Sequence, residues 1–357
     1  MADRAIDDVG VTDTGFDNAG NEGETEGHGA LRSMRPTAMK PLAHGGDLGE
    51  VVRRFADAPR PWIDLSTGIN PVPYPVPALP DTAWTRLPSH ADEAALLAAA
   101  AARYGVRDPA TIVAAPGTQA LIQLLPRLVP HGTVAIVGPT YEEHEACWSR
   151  HGHEVRVVPS LEDADVVIAV NPNNPTGRLF PPTDLAAVKG LLVVDESFID
   201  FLPREMSLAG DLPPRTVVLR SFGKSYGLAG VRLGFAIASP DIAGRLRAEL
   251  GPWAVSGPAL EIGRVALNDG AWLRTARDRV VADSARLDDF LREAGFEILG
   301  GTVLFRLARH AAAPAFVQRL AREGIHVRAF AYAPDRLRFG LPGDDEAFWR
   351  LAKALGL

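Results

Sequence analysis

The sequence predicts an α/β protein with a mainly parallel sheet covered by helices, followed by a smaller α+β domain at the carboxyl end. At 357 residues and 46% hydrophobic composition, the chain can fill two cores. Between about residues 111 and 238, short apolar runs alternate with helical stretches, and the runs are continuous, as is typical of strands buried on both faces. Beyond Pro258 the pattern changes to two long helical stretches and short strands.

An alanine- and leucine-rich helix is predicted at Asp92–Tyr104. Seven apolar runs follow as candidate strands of the sheet, at 111–115, 134–137, 155–158, 166–170, 191–194, 217–219 and 233–238. After them we predict helices at about 259–268 and 271–294, short strands around Phe296, Val303 and Val327, and a terminal helix at about 346–354.

Residues 1–35 are rich in Asp, Glu, Gly and Thr and poor in large apolar side chains, so we predict a disordered leader there. The remaining chain is divided into an amino-terminal substrate-binding segment at 36–70, a large domain at 71–258 and a small carboxyl-terminal domain at 259–357. No internal repeat is evident.

Composition narrows the possible partners and the compartment. A net charge of −7 with interspersed signs argues against a general nucleic-acid surface but allows local arginine clusters for small anions. No apolar run approaches the roughly 20 residues of a membrane span, and no basic segment followed by an apolar one indicates export, so a cytoplasmic protein is expected. Cys147 is the only cysteine, which excludes an internal disulfide and a cysteine-cluster metal site; no metal is expected.

The strongest chemical signal is the stretch from Ser221 to Arg232, SFGKSYGLAGVR, which follows the predicted strand at 217–219. Ligands of open α/β sheets bind at the carboxyl ends of the strands. A lysine held there among glycines, near another cation, loses its proton more easily than a surface lysine, and only the neutral amine attacks a carbonyl. Lys224 is therefore a candidate for imine formation with pyridoxal 5'-phosphate.

Other candidates occur at the ends of neighbouring runs. Gly117, Thr118 and Gln119 open a helix after a strand and would direct amides and a hydroxyl at a phosphate. Tyr141 could stack on a planar cofactor. Asn174, in the rigid turn NPNNPTG, could donate to a phenolic oxygen, and Asp195 at a strand end could pair with a protonated pyridine nitrogen.

Together, these motifs resemble those of pyridoxal-phosphate enzymes with the type I, aspartate-aminotransferase fold, in the branch of histidinol-phosphate aminotransferases and threonine-phosphate decarboxylases. The resemblance covers roughly Leu42 to the carboxyl end. It implies that Lys224 binds the cofactor covalently, that Asp195 pairs with the ring nitrogen, that Asn174 bonds the ring oxygen and that Tyr141 stacks on the ring. It assigns the cofactor phosphate to Gly117, Thr118, Gln119, Ser221 and Arg232.

Several residues narrow the resemblance to the decarboxylases. Phe198, in DESFIDF, stands where aminotransferases of the branch usually carry a tyrosine. The decarboxylase substrate segment is resembled by two motifs, AHGGD with His44 and Gly45, and the later STGINP with Gly68. Some relatives have asparagine at the position of Gly68. The resemblance also implies substrate contacts at Asn174, Arg328 and Arg338. The guanidinium groups of the two arginines suit carboxylate and phosphate.

The resemblance implies decarboxylation of L-threonine O-3-phosphate to (R)-1-amino-2-propanol O-2-phosphate in cobalamin biosynthesis, by a lyase that acts as a homodimer. At the position of Leu87, members of the branch commonly have a tyrosine that reaches the cofactor phosphate of the neighbouring subunit. Leu87 cannot make that bond. Two alternatives stay open, a histidinol-phosphate aminotransferase and a pyridoxal-phosphate-binding regulator without catalysis.

Overall fold

The structure is a computed structural model that describes residues 45–357 of the chain. The predicted leader at 1–35, the beginning of the segment 36–70 and His44 lie outside the described residues. Twelve strands are present in the described range. In chain order they are β1 Ile63–Leu65, β2 Ile112–Ala115, β3 Thr133–Val137, β4 Glu154–Val158, β5 Val166–Val170, β6 Leu191–Asp195, β7 Thr216–Ser221, β8 Gly234–Ala238, β9 Glu297–Thr302, β10 Phe305–Arg309, β11 Ile325–Phe330 and β12 Ala333–Gly340.

Twelve α-helices accompany these strands in residues 45–357. They are α1 Gly49–Arg54, α2 Thr82–Thr85, α3 His90–Tyr104, α4 Thr118–Leu124, α5 Glu142–Arg150, α6 Pro182–Ala186, α7 Phe222–Ser225, α8 Pro240–Leu250, α9 Gly257–Asn268, α10 Gly270–Glu293, α11 Ala313–Arg322 and α12 Asp345–Leu355. Helix α3 begins at a capping box in which Ser89 and Asp92 bond each other's backbone amides.

The larger sheet has seven strands in the order β2-β8-β7-β6-β5-β3-β4 and confirms the predicted, mainly parallel arrangement. Only β8 runs antiparallel to its neighbours, β2 and β7. Successive residues of β5 enter opposite clusters, Val167 and Ala169 in one and Val166 and Ile168 in the other. Both faces of the sheet are therefore covered, as the continuous apolar runs predict.

The run at 155–158 is an exception. The prediction that it is buried on both faces is wrong for most of β4. This strand has a single neighbour, β3, in the sheet, and Val157 is 50% exposed. An edge strand lacks a second neighbour to cover it, and its sequence alone does not reveal that position.

The smaller sheet has the order β1-β11-β12-β10-β9. Strand β1, which the sequence did not indicate, pairs in parallel with β11 through Ile63 opposite Ile325 and Leu65 opposite Val327. This pairing places the segment after β1, residues 66–70, against the end of the larger sheet.

The domain boundaries at 70/71 and 258/259 stay predictions. In the described part of the chain, no helix combines the length and apolarity needed to cross a membrane.

Candidate active site

A cavity of about 340 Å³ lies at the carboxyl ends of the parallel strands. Apart from His44, which is outside the described residues, every predicted site residue lines it. They are Gly45, Gly68, Gly117, Thr118, Gln119, Tyr141, Asn174, Asp195, Ser221, Lys224, Arg232, Arg328 and Arg338. The sequence motifs thus converge on one place because successive parallel strands end at the same edge of the sheet.

Lys224 lies on the short helix α7, directly after β7. Its turn is held by Asn70, whose backbone amide donates to the Lys224 carbonyl at 2.9 Å and whose side-chain amide donates to the Ser225 carbonyl at 2.9 Å. Asn70 is 1% exposed and accepts a further bond from Arg279 at 2.9 Å. Asn70, five residues after the end of β1, therefore fixes the backbone from which the Lys224 amine extends.

Burial lowers the pKa of the Lys224 amine, and the charges of Arg338 and Arg232 lower it further, against the opposing effect of Asp195. The Nζ atom lies 5.0 Å from the centre of the Phe198 ring. A lowered pKa increases the neutral, nucleophilic fraction of the amine near neutral pH, as the sequence analysis expects.

Asp195 ends β6 and is 4% exposed. Its Oδ2 lies 3.2 Å from His144 Nε2, and its Oδ1 accepts a bond from the Ser197 amide at 3.0 Å. Burial alone would raise the pKa of this carboxyl, but hydrogen bonding and charge from His144, the charge of Lys224 and the Ser197 amide lower the pKa to about 2. The carboxylate stays ionised in a buried position.

His144 is a site residue that the sequence analysis does not identify. It is 1% exposed and contacts Asp195 directly. It lies on α5, three residues after Tyr141, and its ring packs edge-on against the Tyr141 ring at 6.1 Å. Residues three apart share a helix face, so the spacing Tyr141-x-x-His144 was the available signal.

The opposite side of the cavity is cationic and rich in backbone amides. Gly117 precedes α4 with φ +83°, and a Cβ there would lie 2.6 Å from Arg232 Nη2. A Cβ on Gly234 would lie 2.5 Å from the Thr118 amide nitrogen. Glycine at both positions lets the Arg232 guanidinium and the start of α4 approach closely, which forms an anion cradle with Ser221.

Tyr141 is held beside this cradle by a hydrogen bond from its hydroxyl to Gln119 Oε1 at 3.2 Å. Gln119 in turn donates from Nε2 to Glu143 Oε2 at 2.7 Å. Burial and the nearby Glu143 charge raise the pKa of the Tyr141 phenol above its usual range, so the hydroxyl stays protonated. The ring is therefore a neutral wall of the cavity, suited to stacking.

Two arginines enter the cavity from the smaller sheet, Arg328 from β11 and Arg338 from β12. They are directly opposite each other in the antiparallel register. Arg338 donates to Asn174 Oδ1 at 2.5 Å and to the Ser66 carbonyl. Burial and the adjacent Arg328 charge lower the pKa of Arg338 to about 10. Like charges in such a pair repel each other, so the pair favours an anionic ligand.

Gly68 lies against two aromatic rings. A Cβ at this position would lie 2.8 Å from Phe305 Cδ1 and 2.9 Å from Phe198 Cε1. The rings of Phe198 and Phe305 themselves meet edge-on at 5.1 Å. A larger residue at position 68, including the asparagine of some relatives, would require these rings to move.

Residues 62–355 match the family model for class I and II aminotransferases. This chain belongs to the class I and II aminotransferase family. Within it, the chain groups with threonine-phosphate decarboxylases: it is 43% identical to that of Pseudomonas aeruginosa, over 88% of this chain and 97% of the relative. The same identity relates it to the threonine-phosphate decarboxylase of a Sinorhizobium species, over 88% of this chain and 98% of the relative. Family members are enzymes that depend on pyridoxal 5'-phosphate.

Solved structures of the family share the fold. A histidinol-phosphate aminotransferase from Sinorhizobium meliloti in complex with pyridoxal 5'-phosphate matches with a TM-score of 0.74, at 22% identity, over 91% of this chain and 97% of that chain. The L-threonine-O-3-phosphate decarboxylase of Porphyromonas gingivalis matches with a TM-score of 0.68, at 22% identity, over 82% of this chain and 98% of that chain. The type I fold is therefore confirmed.

The residues of the cavity fit the cofactor of the family. A buried, ionised carboxylate at Asp195 suits a protonated pyridine nitrogen, which is the partner that such a carboxylate needs. The glycine-lined cradle at Gly117 suits a phosphate beside Arg232. The neutral Tyr141 ring and the Lys224 amine complete a site for a flat aldehyde that carries a phosphate.

We predict that His144→Ala raises the pKa of Asp195, because burial then dominates. In the wild type the folded-state pKa of about 2 lies below the ordinary 3.8, so the carboxylate stabilises the fold above about pH 4. That stabilisation is lost as the pH falls through about 2. Carboxyl ¹³C NMR titration measures the change. His151→Ala, at the end of the same helix, is the control, and an unchanged Asp195 titration in His144→Ala would contradict the assignment.

We predict that Gly117→Ala weakens cofactor binding by about tenfold or more, which corresponds to about 1.4 kcal/mol. The new Cβ meets Arg232 at 2.6 Å, and the backbone φ of +83° is strained for alanine. Fluorescence titration of cofactor-free protein with pyridoxal 5'-phosphate measures the affinity. Gly244→Ala is the matched control, since a Cβ there meets no atom within 4 Å. Equal affinities in both variants would disprove the cradle.

Proposed function

We propose that the chain catalyses decarboxylation of L-threonine O-3-phosphate to (R)-1-amino-2-propanol O-2-phosphate and CO₂, a step of cobalamin biosynthesis. The observation that carries this proposal is the pair Arg328 and Arg338, opposite each other on neighbouring strands and lining the cavity that contains Lys224. Two adjacent guanidinium groups suit a substrate with both a carboxylate and a phosphate. The two relatives at 43% identity are threonine-phosphate decarboxylases, which supports the same substrate.

In this proposal the cofactor, when bound, supplies an electron sink for the pair left at Cα. The negative charge of Asp195 pairs with the protonated ring nitrogen. Asn174 donates a hydrogen bond to the ring oxygen, and Tyr141 stacks on the ring. Because Asn174 Oδ1 already accepts from Arg338, its amide nitrogen is the atom directed to donate. Gly117, Thr118, Gln119, Ser221 and Arg232 hold the cofactor phosphate.

The substrate is held by Gly45, Gly68, Asn174, Arg328 and Arg338, with His44 as a further proposed contact. A Cβ on Gly45 would lie 2.3 Å from the Ser66 carbonyl oxygen, so only glycine allows this backbone to approach the cavity wall. Binding energy from the phosphate, remote from the reacting bond, fixes the substrate rotamer in which the bond from Cα to the carboxylate breaks.

Lys224 moves the proton in the second half of the reaction. The neutral Lys224 amine first accepts a proton from the substrate ammonium. Loss of CO₂ then leaves an electron pair at Cα, and the Lys224 ammonium donates this proton there, which gives the amine product. The lowered pKa makes this ammonium a better acid than an ordinary lysine. Reprotonation at Cα after loss of CO₂, with the amino group retained on that carbon, distinguishes decarboxylation from amino-group transfer.

The aromatic wall favours the decarboxylase over an aminotransferase. Phe198 lines the cavity beside Lys224 and is 5% exposed, and Phe305, which is 0% exposed, packs edge-on against it. Phe198 has no hydroxyl to bond the ring oxygen, whereas aminotransferases of the branch usually carry tyrosine at this position. The cofactor oxygen is therefore left to Asn174.

The test is CO₂ release from L-threonine O-3-phosphate by the cofactor-loaded protein. We expect release by the wild type, loss of at least about a thousandfold in Lys224→Ala because the proton donor is removed, and unchanged activity in Lys189→Ala. Lys189 is a surface lysine whose side chain is 84% exposed.

Glutamate formed from histidinol phosphate and 2-oxoglutarate, without CO₂ from phosphothreonine, would instead identify a histidinol-phosphate aminotransferase. Full activity of Lys224→Ala would exclude the proposed catalytic role. Cofactor binding without turnover of either substrate would indicate the regulator.

We further propose a cytoplasmic homodimer. The single cysteine, Cys147, is buried and free, which suits a reducing compartment. Trp84, Leu87 and Trp253 are 68%, 67% and 59% exposed. Trp253 lines a cleft with Pro88, which follows Leu87, and a Cβ on Gly257 would meet the carbonyl of Ala83, which precedes Trp84. Exposed apolar patches are typical of subunit interfaces. Exposed Leu87 would meet the partner where the branch has a tyrosine.

We predict that combining Trp84→Glu with Trp253→Glu converts the dimer to a monomer, because two carboxylates would be buried in the interface. Sedimentation equilibrium measures the mass. Trp349→Glu, at an equally exposed tryptophan on α12, is expected to leave the dimer intact. A monomeric wild type, or dissociation in the control as well, would exclude this interface.

A further inference from the structure

A second cavity, of about 390 Å³, lies apart from the active cavity and shares no lining residue with it. We call it the arginine cleft. Its walls are the end of α3 at Arg103 and Tyr104, the segment 199–207 after β6, Arg220 of β7 and the first turns of α10. Its volume is in the range of small-molecule sites, roughly 300–1,000 Å³.

The lining of the arginine cleft is strongly cationic. Asp200 is its single carboxylate among the described residues, and the five arginines that face it are Arg103, Arg204, Arg220, Arg274 and Arg277. A concave surface with one sign of charge concentrates the potential and attracts counterions. Acidic partners within the protein, counterions from solvent or a bound anionic ligand can balance this excess of positive charge.

Arg220 has acidic partners within the protein. Its guanidinium donates to Glu196 at 3.3 Å and to Asp200, and it lies over the Tyr104 ring at 4.2 Å. Its side chain is only 6% exposed. The one carboxylate of the cleft is thus already paired with Arg220, and it does not balance the remaining arginines.

The other four arginines lack such partners. Arg103 donates to the Asp200 carbonyl at 3.3 Å, and Arg204 donates to the Ala102 and Arg103 carbonyls at 2.6 Å, which are uncharged acceptors. Arg274 and Arg277 are exposed and three residues apart on α10, where like charges repel. Among residues 45–357, no carboxylate forms an ion pair with any of these four.

Apart from Ser207 and Gly270, the remaining lining of the cleft is apolar. Ile199, Leu202, Pro203 and Leu273 line it beside the Tyr104 ring. A bare inorganic ion would leave this surface in contact with water, whereas a ligand with an organic part would cover it. Guanidinium groups bind phosphate oxygens in bidentate fashion, which sets the chemistry of the charged part.

We propose that the arginine cleft is a second ligand site that binds a small organic phosphate monoester, with Arg274, Arg277 and Arg103 on the phosphate and the apolar floor against the organic part. The site is separate from the active cavity. The proposal is also independent of the reaction assigned to that cavity, because it rests only on the lining of the cleft.

The test uses the cofactor-loaded protein and isothermal titration calorimetry at low ionic strength. Phenyl phosphate and inorganic phosphate are the probes. The cleft variant combines Arg274→Ala with Arg277→Ala; both side chains are exposed, so the fold is preserved. The matched control combines Arg286→Ala with Arg292→Ala, which removes the same charge from the same helix at side chains 41% and 58% exposed.

We expect phenyl phosphate to saturate a site in the wild type, with affinity at least about tenfold weaker in the cleft variant and unchanged in the control. Binding of phenyl phosphate should be tighter than that of inorganic phosphate. Binding in the active cavity is common to all three proteins, so the difference reports the cleft. Equal binding in wild type and cleft variant, equal weakening in both variants, or inorganic phosphate binding as tightly as phenyl phosphate would overturn the proposal.

Discussion

The ionised carboxylate of Asp195 is the group on which the arrangement of the active cavity depends. Burial favours its protonated form, yet contacts with His144 and the Ser197 amide, together with the charge of Lys224, keep it ionised. Those contacts exist because Asp195 ends β6, and β7 beside it runs parallel and leads directly to Lys224. The sheet therefore places an acid and an amine at the same edge, and each influences the protonation of the other.

Positive charge surrounds this pair and outweighs it. Arg232 reaches the cavity from the chain after α7, whereas Arg328 and Arg338 come from the smaller sheet, so the cations arrive from different parts of the fold. From the amino-terminal side, Asn70 fixes the turn of the reactive lysine through its bonds to the Lys224 and Ser225 carbonyls. The cavity is thus assembled by three regions of the chain, and its electrostatics suit ligands with more than one negative group.

How much is predictable from sequence depends on the range of the interactions involved. Lys224, Asp195 and Asn174 are recognisable because each belongs to a local motif at the end of an apolar run. His144, the pairing of β1 with β11, and the exposure of Val157 depend on contacts between distant segments. Position 68 is the clearest case, since Phe198 and Phe305, which leave room only for glycine, lie far along the chain.

The opposed arginines of β11 and β12 have a consequence for evolution as well as for binding. Burial lowers the pKa of Arg338, and the adjacent Arg328 charge lowers it further; the mutual repulsion of the two arginines subtracts from the stability of the smaller sheet. An anion bound between them cancels this repulsion and stabilises the sheet, so ligand affinity and fold stability are thermodynamically linked. Selection for stability would favour replacing either arginine by an uncharged residue, whereas selection for ligand binding would oppose that replacement. The pair is a place where the protein retains strain because function requires it.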